Sequence, residues 1–205
     1  MIDLKRIISG GQTGVDRGAL DVAIELGLDI GGCCPRGKIA EDGVIPPYYS
    51  KHLTEHSSSS DYSVRTEQNV MNSDGTLIFF RHHVGSGAVP PSEAAQSCGI
   101  HAGREREKSN VRVLFGGTAY TEQMARKHSK PIFLWDLTTL KTTRYHDGGD
   151  LRVDATAGSN LARVRLWLQT NEIAILNCAG PRESDCPGIH EETFHALREI
   201  LKPTL

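Results

Sequence analysis

The stretch that decides the fold is residues 7–16, I-I-S-G-G-Q-T-G-V-D. A short apolar run at its start is typical of a strand, and its glycines then turn the chain into a segment with helical periodicity over 15–28. The turn is similar to a dinucleotide-binding loop, but Gly11 and Gly14 are three positions apart and do not fit G-x-G-x-x-G. The question is therefore which ligand such a turn could hold.

Apolar runs and helical patterns alternate along most of the chain. The strand-like runs are nearly continuous in their apolar residues, which is typical of a parallel sheet covered by helices on both faces. The expected fold class is therefore α/β, with three layers and a mostly parallel sheet. The predicted strands are 6–9, 29–35, 75–80, 111–115, 131–137 and 172–178. The predicted helices are 15–28, 63–72, 119–128, 160–169 and 190–201. A loop is predicted over 36–47.

The length of 205 residues suits a single domain. Segment 81–110 is rich in glycine, serine and charged residues and lacks periodicity, so we predict a surface insertion there. Residues 138–158 form a polar excursion, for which a hairpin is one interpretation. We expect one domain over 1–205 that carries these two additions.

Composition narrows the classes of function. The net charge of -2 argues against general nucleic-acid binding, because such proteins use a basic surface. No run approaches the ~18–20 apolar residues of a membrane span and no export signal is evident, so a cytoplasmic location is expected. The five cysteines form no C-x-x-C pair, which favours free thiols and no metal site. A soft ligand or nucleophile at Cys34 or Cys178 is the alternative that the spacing leaves open.

Glycine-rich turns adjoin several of the predicted strands. In parallel sheets ligands bind outside the carboxyl ends of the strands, and here turns at 10–16, 116–121 and 179–184 follow strands, while S-D-G-T at 73–76 leads into one. Glycines let the backbone approach a ligand closely, and the N–H groups that open a helix favour an anion. Together these turns predict a pocket of nucleotide or phosphate size. The side chains in them that suit phosphate are those of Thr13, Thr118, Thr121, Ser184 and Arg182.

Five segments, in order, resemble the circularly permuted YpsA-like branch of the SLOG superfamily. They are I-S-G-G-Q-T-G-V-D-R-G-A-L-D-V-A, C-P-R-G-K-I-A-E-D-G, Y-S-V-R-T-E-Q-N-V-M-N-S-D-G-T-L-I-F, G-G-T-A-Y-T-E-Q-M-A and N-C-A-G-P-R-E-S. Members of this family are often labelled molybdenum cofactor carrier proteins. The resemblance implies a Rossmann-like fold, distantly similar to the lonely-guy phosphoribohydrolases and to DprA. It also implies that both ends of the chain meet at one ligand edge, with the strand over 172–178 central in the sheet.

The resemblance further implies a set of ligand-binding residues. The residues carried over to the pocket are Gly10, Gly11, Thr13, Gly14, Gly116, Gly117, Thr118, Gly180, Pro181, Arg182 and Ser184. Lys38 could cover an anion, and Asp74 and Thr76 are further polar candidates. Arg65 and Asn69 are placed on the helix face opposite Tyr62, where a role at the helix surface or in capping is an equal alternative.

One departure from the relatives concerns catalysis. Lonely-guy enzymes resemble P-G-G-x-G-T-x-x-E, whereas this chain has F-G-G-T-A-Y-T-E, so that Thr121 stands at the position of the glutamate. Glu122 follows one residue later, which is roughly 100° around a helix. Phosphoribohydrolase activity is therefore not expected. Asp16, Glu122 and Glu183 remain the candidate acids or bases, and Asp16 could equally orient backbone N–H groups of the turn.

These observations rank three functions. The first is binding of a phosphorylated ligand, nucleotide-like or molybdopterin-like, as a molybdenum cofactor carrier. The alternative is a hydrolase or transferase that acts on an N-glycosidic or phosphoester bond of a nucleotide derivative. A nucleic-acid-linked role is third, because the charge balance is acidic. Nothing in these residues selects a pterin over a nucleotide, and a homo-oligomer is expected only because related folds often pair through their helices.

Overall fold

The structure is a computed structural model that describes residues 2–55, 62–81, 114, 116–139, 142–143, 152–153 and 158–202. Apart from Arg81, the predicted insertion over 81–110 lies outside the described residues, and so does nearly all of the predicted strand over 111–115. The elements in chain order are β1 (Arg6–Ile8), α1 (Val15–Glu25), β2 (Asp29–Gly31), β3 (Cys33–Cys34), β4 (Ile39–Ala40), β5 (Gly43–Val44), α2 (Pro47–Ser50), β6 (Thr54–Glu55), α3 (Tyr62–Met71), β7 (Gly75–Phe80), α4 (Gly116–Lys127), β8 (Ile132–Asp136), β9 (Thr142–Thr143), β10 (Arg152–Val153), α5 (Gly158–Thr170), β11 (Ile175–Ala179) and α6 (Ile189–Leu201).

Five strands form a parallel sheet in the order β2-β1-β11-β7-β8. The strand near the carboxyl terminus therefore lies at the centre, directly beside the first strand of the chain, with Ile8 opposite Asn177. All six residues of β7 are buried, as expected for an inner strand covered on both faces. The α/β fold with a mostly parallel, Rossmann-like sheet is thereby confirmed.

The helices cover the sheet in two groups. The larger core packs α1, α5 and α6 on the sheet through fully buried side chains such as Ile7, Leu20 and Leu176. Burial of each such side chain contributes roughly 1.5–3 kcal/mol to folding. A separate cluster of Val70 and Met124 joins α3 to α4. Among the residues that the structure describes, none of the helices combines the length and the apolar composition that a membrane span requires.

Several predicted boundaries shift for local reasons. The first helix ends at Glu25 because Gly27 takes a left-handed conformation, with φ of 70°, and reverses the chain. The predicted strand over 29–35 is divided at Gly32, where a Cβ would lie 2.0 Å from the carbonyl oxygen of Ser9. Helix α4 begins at Gly116, three residues earlier than predicted.

Two polar segments contain short antiparallel pairs. Within the predicted loop over 36–47, β4 and β5 pair with Ile39 opposite Val44. We call residues 39–44 the hairpin. In the described part of the 138–158 excursion, β9 pairs antiparallel with β10, in agreement with the hairpin interpretation.

Candidate functional site

The turns that follow β1 and β11 are packed against each other where the parallel strands end. We call this side of the sheet, formed by the carboxyl ends of its strands, the carboxyl edge, and the opposite side the amino edge. Gly14 has a φ of 74°, and a Cβ on it would lie 2.5 Å from the carbonyl oxygen of Pro181. The amide of Val15 donates to that same oxygen at 3.2 Å, and the amide of Glu183 donates to Thr13 Oγ1 at 3.2 Å. Residues separated by most of the chain thus form one surface. We call residues 10–16 and 180–184 together the cradle.

A carboxylate from the hairpin occupies the hydrogen-bond donors of the cradle. Both Thr13 Oγ1 and Ser184 Oγ donate to the carboxylate of Glu41, and the amide of Ser184 donates to Glu41 Oε1 at 3.2 Å. The amide of Glu41 donates in turn to Gln12 Oε1 at 2.9 Å. These donors belong to both turns of the cradle. A bound oxyanion therefore has partners ready at this position.

Charge near the cradle favours an anion as well. Partial burial acts to raise the pKa of Glu41, but the hydrogen bonds from Ser184 and Thr13 and the positive charge of Arg182 outweigh it and hold the pKa below its ordinary value. The carboxyl group is therefore ionised at neutral pH. The cradle stabilises a negative charge in the folded protein.

Two arginines flank Tyr62 beside the cradle. The Cζ atoms of Arg65 and Arg182 lie 5.0 and 5.6 Å from the centre of the Tyr62 ring, within the range of cation–π contact. The prediction that Arg65 lies on the helix face opposite Tyr62 is wrong, because residues three apart share a face of a helix. Tyr62 as a residue is 40% exposed, so an aromatic surface with two neighbouring arginines lies beside the cradle.

Arg65 also covers the first turn of the cradle. A Cβ on Gly10 would lie 1.5 Å from Arg65 Nη1, so the absence of a side chain at Gly10 makes room for the guanidinium. Arg65 Nη1 lies 3.7 Å from Asp16 Oδ2. Among the described residues, the buried Nε of Arg65 has no hydrogen-bond partner.

Asp16 anchors the first turn of the cradle. Its carboxylate accepts from the amide of Gln12 at 3.0 Å, and its carbonyl oxygen accepts from Ser9 Oγ at 3.1 Å. Burial raises the pKa of Asp16, against the opposing effects of Arg65 and the Gln12 amide. These bonds correspond to the structural alternative given above, in which Asp16 orients backbone N–H groups. Its role as an acid or base stays a prediction.

The two glutamate candidates for catalysis are engaged elsewhere. The carboxylate of Glu183 accepts from the amides of Gly188 and His190, and thereby caps the start of α6. Glu122 forms an ion pair with Arg126 one turn further along α4, at 2.6 Å. Both carboxylates thus have structural partners.

Asp74 and Thr76 lie at the opposite edge of the sheet. Asp74 Oδ2 accepts from the amides of Ala174 and Ile175 at 3.0 and 2.7 Å, where β7 and β11 begin. Thr76 is fully buried and accepts from the side chain of Asn177. The strands are parallel, so the carboxyl edge is roughly 13 Å away. The prediction that these two residues join the cradle is wrong, because S-D-G-T enters its strand rather than following it.

Two further polar candidates hold the backbone. Lys38 Nζ donates to the carbonyl oxygen of Ser50 at 2.7 Å and so ties the hairpin to α2. Asn69 binds both backbone groups of Cys33, accepting from its amide at 2.6 Å and donating to its carbonyl oxygen at 3.2 Å. The structure therefore does not bring the ammonium of Lys38 or the amide of Asn69 to the cradle.

The glycine and threonine residues of the third turn open helix α4. Of the described residues, none comes within 4 Å of a Cβ placed on Gly116 or Gly117, so the backbone there faces open space. Thr118 and Thr121 are buried, and Thr121 Oγ1 donates to the carbonyl oxygen of Gly117 at 2.8 Å. No hydrogen bond or ion pair between these residues and the cradle is found in the described part of the chain. Their place in the ligand site stays a prediction.

The cysteines carry thiols rather than thiolates. Burial raises the pKa of Cys34, and burial together with the negative charge of Asp16 raises the pKa of Cys178. A protonated, buried thiol is a poor nucleophile. The free-thiol interpretation fits both positions.

Glu41 is the site residue that sequence reasoning missed. It lies in the segment C-P-R-G-K-I-A-E-D-G, from which we singled out Lys38. The adjacent Asp42 forms a bidentate pair with Arg17 of α1, at 2.6 and 2.8 Å, and Arg17 Nε also donates to the carbonyl oxygen of Gly11. Two successive acids between strand-like residues, with a glycine after them, signal a hairpin tip. The partner of that tip is not readable from spacing.

A parallel α/β sheet whose two chain-end turns pack against each other at the carboxyl ends of the strands defines a Rossmann-like class of protein. Comparison with known proteins narrows this class. The chain belongs to the circularly permutated YpsA SLOG family, whose model matches residues 7–104 and 105–201. It is 32% identical to a protein of Syntrophus aciditrophicus SB with a crystal structure described as "Putative molybdenum carrier protein", with a TM-score of 0.72 over 98% of this chain and 96% of that one. A search among curated proteins finds no significant match.

Proposed function

We propose that this protein binds a phosphorylated small ligand, nucleotide-like or molybdopterin-like, with a phosphate on the cradle. In the second case it serves as a molybdenum cofactor carrier, in line with the description of its Syntrophus relative. One observation carries the proposal: the carboxylate of Glu41 accepts hydrogen bonds from Thr13 and Ser184 at the carboxyl edge of the sheet. Donors that hold one oxyanion suit another.

The donor chemistry favours the phosphate end of such a ligand. The cradle offers hydroxyl and amide donors with a guanidinium nearby, which are the groups that bind phosphate oxygens. Cys186, whose amide donates to the carbonyl oxygen of Arg182 at 3.0 Å, is buried, and burial raises the pKa of its thiol. We therefore assign the hydroxyl, amide and guanidinium donors of the cradle to phosphate.

The aromatic surface beside the cradle suits the ring system of the ligand. The guanidinium carbons of Arg65 and Arg182 lie 5.0 and 5.6 Å from the ring centre of Tyr62, and Tyr62 is partly exposed. A base or pterin ring can stack on a planar guanidinium or on a free face of the tyrosine while its phosphate reaches the donors. The positive charges of the two arginines add to the attraction for a dianionic phosphate.

The proposal is tested with the variant Arg182→Ala. Its affinity for AMP, ADP-ribose or a pterin phosphate, measured by calorimetry, is expected to fall at least roughly tenfold, because a charged donor near the phosphate is removed. Arg163→Ala is the matched control, since Arg163 stacks on Phe133 at 5.8 Å in a region away from the cradle. The proposal fails if no phosphorylated ligand binds, or if both variants lose equally little affinity.

Binding is preferred to hydrolysis or group transfer because the candidate acids are engaged. The carboxylate of Asp16 holds the first turn of the cradle. That of Glu122 is paired with Arg126, and that of Glu183 caps the start of α6. Incubation of each bound compound with the protein, followed by chromatography for released base or phosphate, separates the two functions. Turnover that is lost in Asp16→Asn would favour the hydrolase or transferase.

A further inference from the structure

We infer that Glu41 is a built-in competitor for the cradle: its carboxylate fills the anion position in the structure, and an incoming oxyanion must displace the hairpin tip. This inference rests on the proposed function, since it concerns how the same site is occupied. It makes the hairpin an autoinhibitory element whose release is coupled to ligand binding. Glu41 thereby sets the affinity of the site without belonging to it when ligand is bound.

The contacts of Glu41 resemble those of a bound anion. One carboxylate oxygen, Oε1, accepts from Thr13 Oγ1 and from the amide of Ser184, and the other, Oε2, accepts from Ser184 Oγ. These groups come from both turns of the cradle, as the contacts of a bound phosphate would. The same donors cannot serve Glu41 and a phosphate together. Occupation by one requires departure of the other.

The hairpin is built so that its two tip residues, Glu41 and Asp42, can move while the strands beside them stay. Ala40, which precedes Glu41, is buried in a small cluster with Ile45 and Leu53 and holds the strands in place. The strands are two residues long, and their outer pair, Ile39 and Val44, is 44% and 68% exposed. Besides the Glu41 carboxylate, the tip is held to the first turn by the bond from the Glu41 amide to Gln12.

The Arg17–Asp42 pair gives the tip a pivot. Asp42 is bound bidentately by Arg17, which is fixed to the carbonyl oxygen of Gly11. Rotation about this pair moves the Glu41 carboxylate off Thr13 and Ser184 without separating the hairpin from α1. The displaced carboxylate reaches solvent, which lowers the cost of release.

A tethered competitor has a quantitative signature. If only the fraction of molecules with an open tip binds, every anion is weakened by the same factor, whatever its charge. A carboxylate that stayed in place would act by repulsion, and a dianion would then lose twice the free energy that a monoanion loses. Sulfate and formate, which differ in charge, therefore distinguish the two mechanisms.

The test titrates sulfate and formate against wild-type protein and Glu41→Gln, following the amide NMR signal of Ser184. Glu41→Gln is expected to bind both anions roughly tenfold more tightly and by the same factor. The control Glu199→Gln, which removes a carboxylate paired with Lys202 at the end of α6, is expected to match the wild type. A gain confined to sulfate, no gain, or weaker binding in Glu41→Gln overturns the inference.

Hydrogen exchange at the amide of residue 41 provides a second measurement on the wild-type protein. In the closed tip this amide donates to Gln12, so its exchange is expected to rise several-fold on saturation with sulfate. Unchanged exchange with sulfate bound overturns the inference while leaving the proposed function to the Arg182 test. If sulfate binds to neither protein, the inference fails, and the proposed function is decided separately by the Arg182 test with phosphorylated ligands.

Discussion

Asp74 and Glu41 are two carboxylates at opposite edges of the same sheet, and each accepts more than one hydrogen bond. Asp74 accepts from two consecutive backbone amides where β11 begins, so it is part of the sheet itself. Glu41 accepts from side-chain hydroxyls and one amide of two surface turns, and it arrives on an exposed hairpin. The first carboxylate is part of the structure that it holds, whereas the second can be replaced. The two carboxylates thus differ in whether another anion can take their place, and on our proposal only that of Glu41 can be replaced.

The surroundings of the two edges strengthen the contrast. A surface depression at the amino edge is lined by Asp3, Leu168, Gln169, Glu172, Ile173 and Ala174. Asp3 there is paired with Lys5 and Glu172 adds a second carboxylate, whereas the guanidinium groups of Arg65 and Arg182 lie at the carboxyl edge. The proposed binding site therefore lies at the edge that has the two arginines.

The largest expected effect comes from forcing the two turns of the cradle apart. In Gly14→Ala, the left-handed φ is strained and the new Cβ meets the backbone of Pro181 at 2.5 Å, so we expect a loss of about 3 kcal/mol or more in the free energy of unfolding. Urea unfolding measures this. At Gly27, φ is 70°, but a Cβ would meet none of the described atoms within 4 Å. The variant Gly27→Ala is therefore expected to lower the free energy of unfolding by only about 1 kcal/mol. Equal losses in the two variants would show that the turns tolerate separation.

The comparison of the carboxylates is tested by removing each one. Asp74→Ala leaves two strand amides without their acceptor and is expected to lower the free energy of unfolding by about 1–2 kcal/mol, with anion affinity unchanged. Glu41→Ala is expected to change stability by less than about 1 kcal/mol while anion affinity rises. Urea unfolding gives the stability of each variant, and sulfate titration gives the anion affinity of each. Tighter sulfate binding in Asp74→Ala would contradict the division into two edges.

A smaller, pH-dependent effect is expected at His190, beside the second turn of the cradle. A hydrogen bond to Asp21 raises the pKa of His190, assisted by the negative charge of Asp21 and opposed by partial burial. The raised pKa means that this stabilisation is complete below the ordinary histidine pKa of about 6.5 and is lost as the pH rises through the folded-state value. The His190 side chain is 40% exposed, so solvent screening limits the effect to below about 1 kcal/mol.

The measurement is the pH dependence of unfolding for His190→Gln. The variant is expected to be less stable than the wild type at pH 5.5, with the difference shrinking toward pH 8.5. His195→Gln, on the same helix and packed edge-on to Phe194, serves as the control for the loss of a histidine ring from α6. If the difference in stability between wild type and His190→Gln grew as the pH rises, folding would lower the pKa of His190 rather than raise it.

The sheet and the meeting of its two turns were predictable because their signals are local or carried by ordered motifs. Continuous apolar runs predicted parallel strands, and β7 agrees with its predicted bounds of 75–80. Glycines after the first strand and an arginine turn after the last predicted the cradle. The central position of β11 followed from the resemblance and not from periodicity.

The features of the site that the sequence did not predict depend on strand direction, on helix geometry and on contacts between residues far apart in the chain. Asp74 was misplaced because a turn that enters a strand was treated like one that leaves it, and parallel strands put these at opposite edges. The error at Arg65 lay in helix geometry, since Tyr62 is three residues away and shares its face. Glu41 could not be found from spacing, because its donors at 13 and 184 are brought to it only by tertiary packing.

The bond between Glu183 and Thr13 has a consequence for synthesis of the protein. It joins positions 170 residues apart, so the cradle closes only after almost the entire chain has been made. During translation, the first turn and the hairpin are present long before β11 and the second turn. A nascent chain that has not yet emerged past Ser184 has one of the three donors that hold the Glu41 carboxylate. The proposed site is therefore complete only after the last strand enters the centre of the sheet.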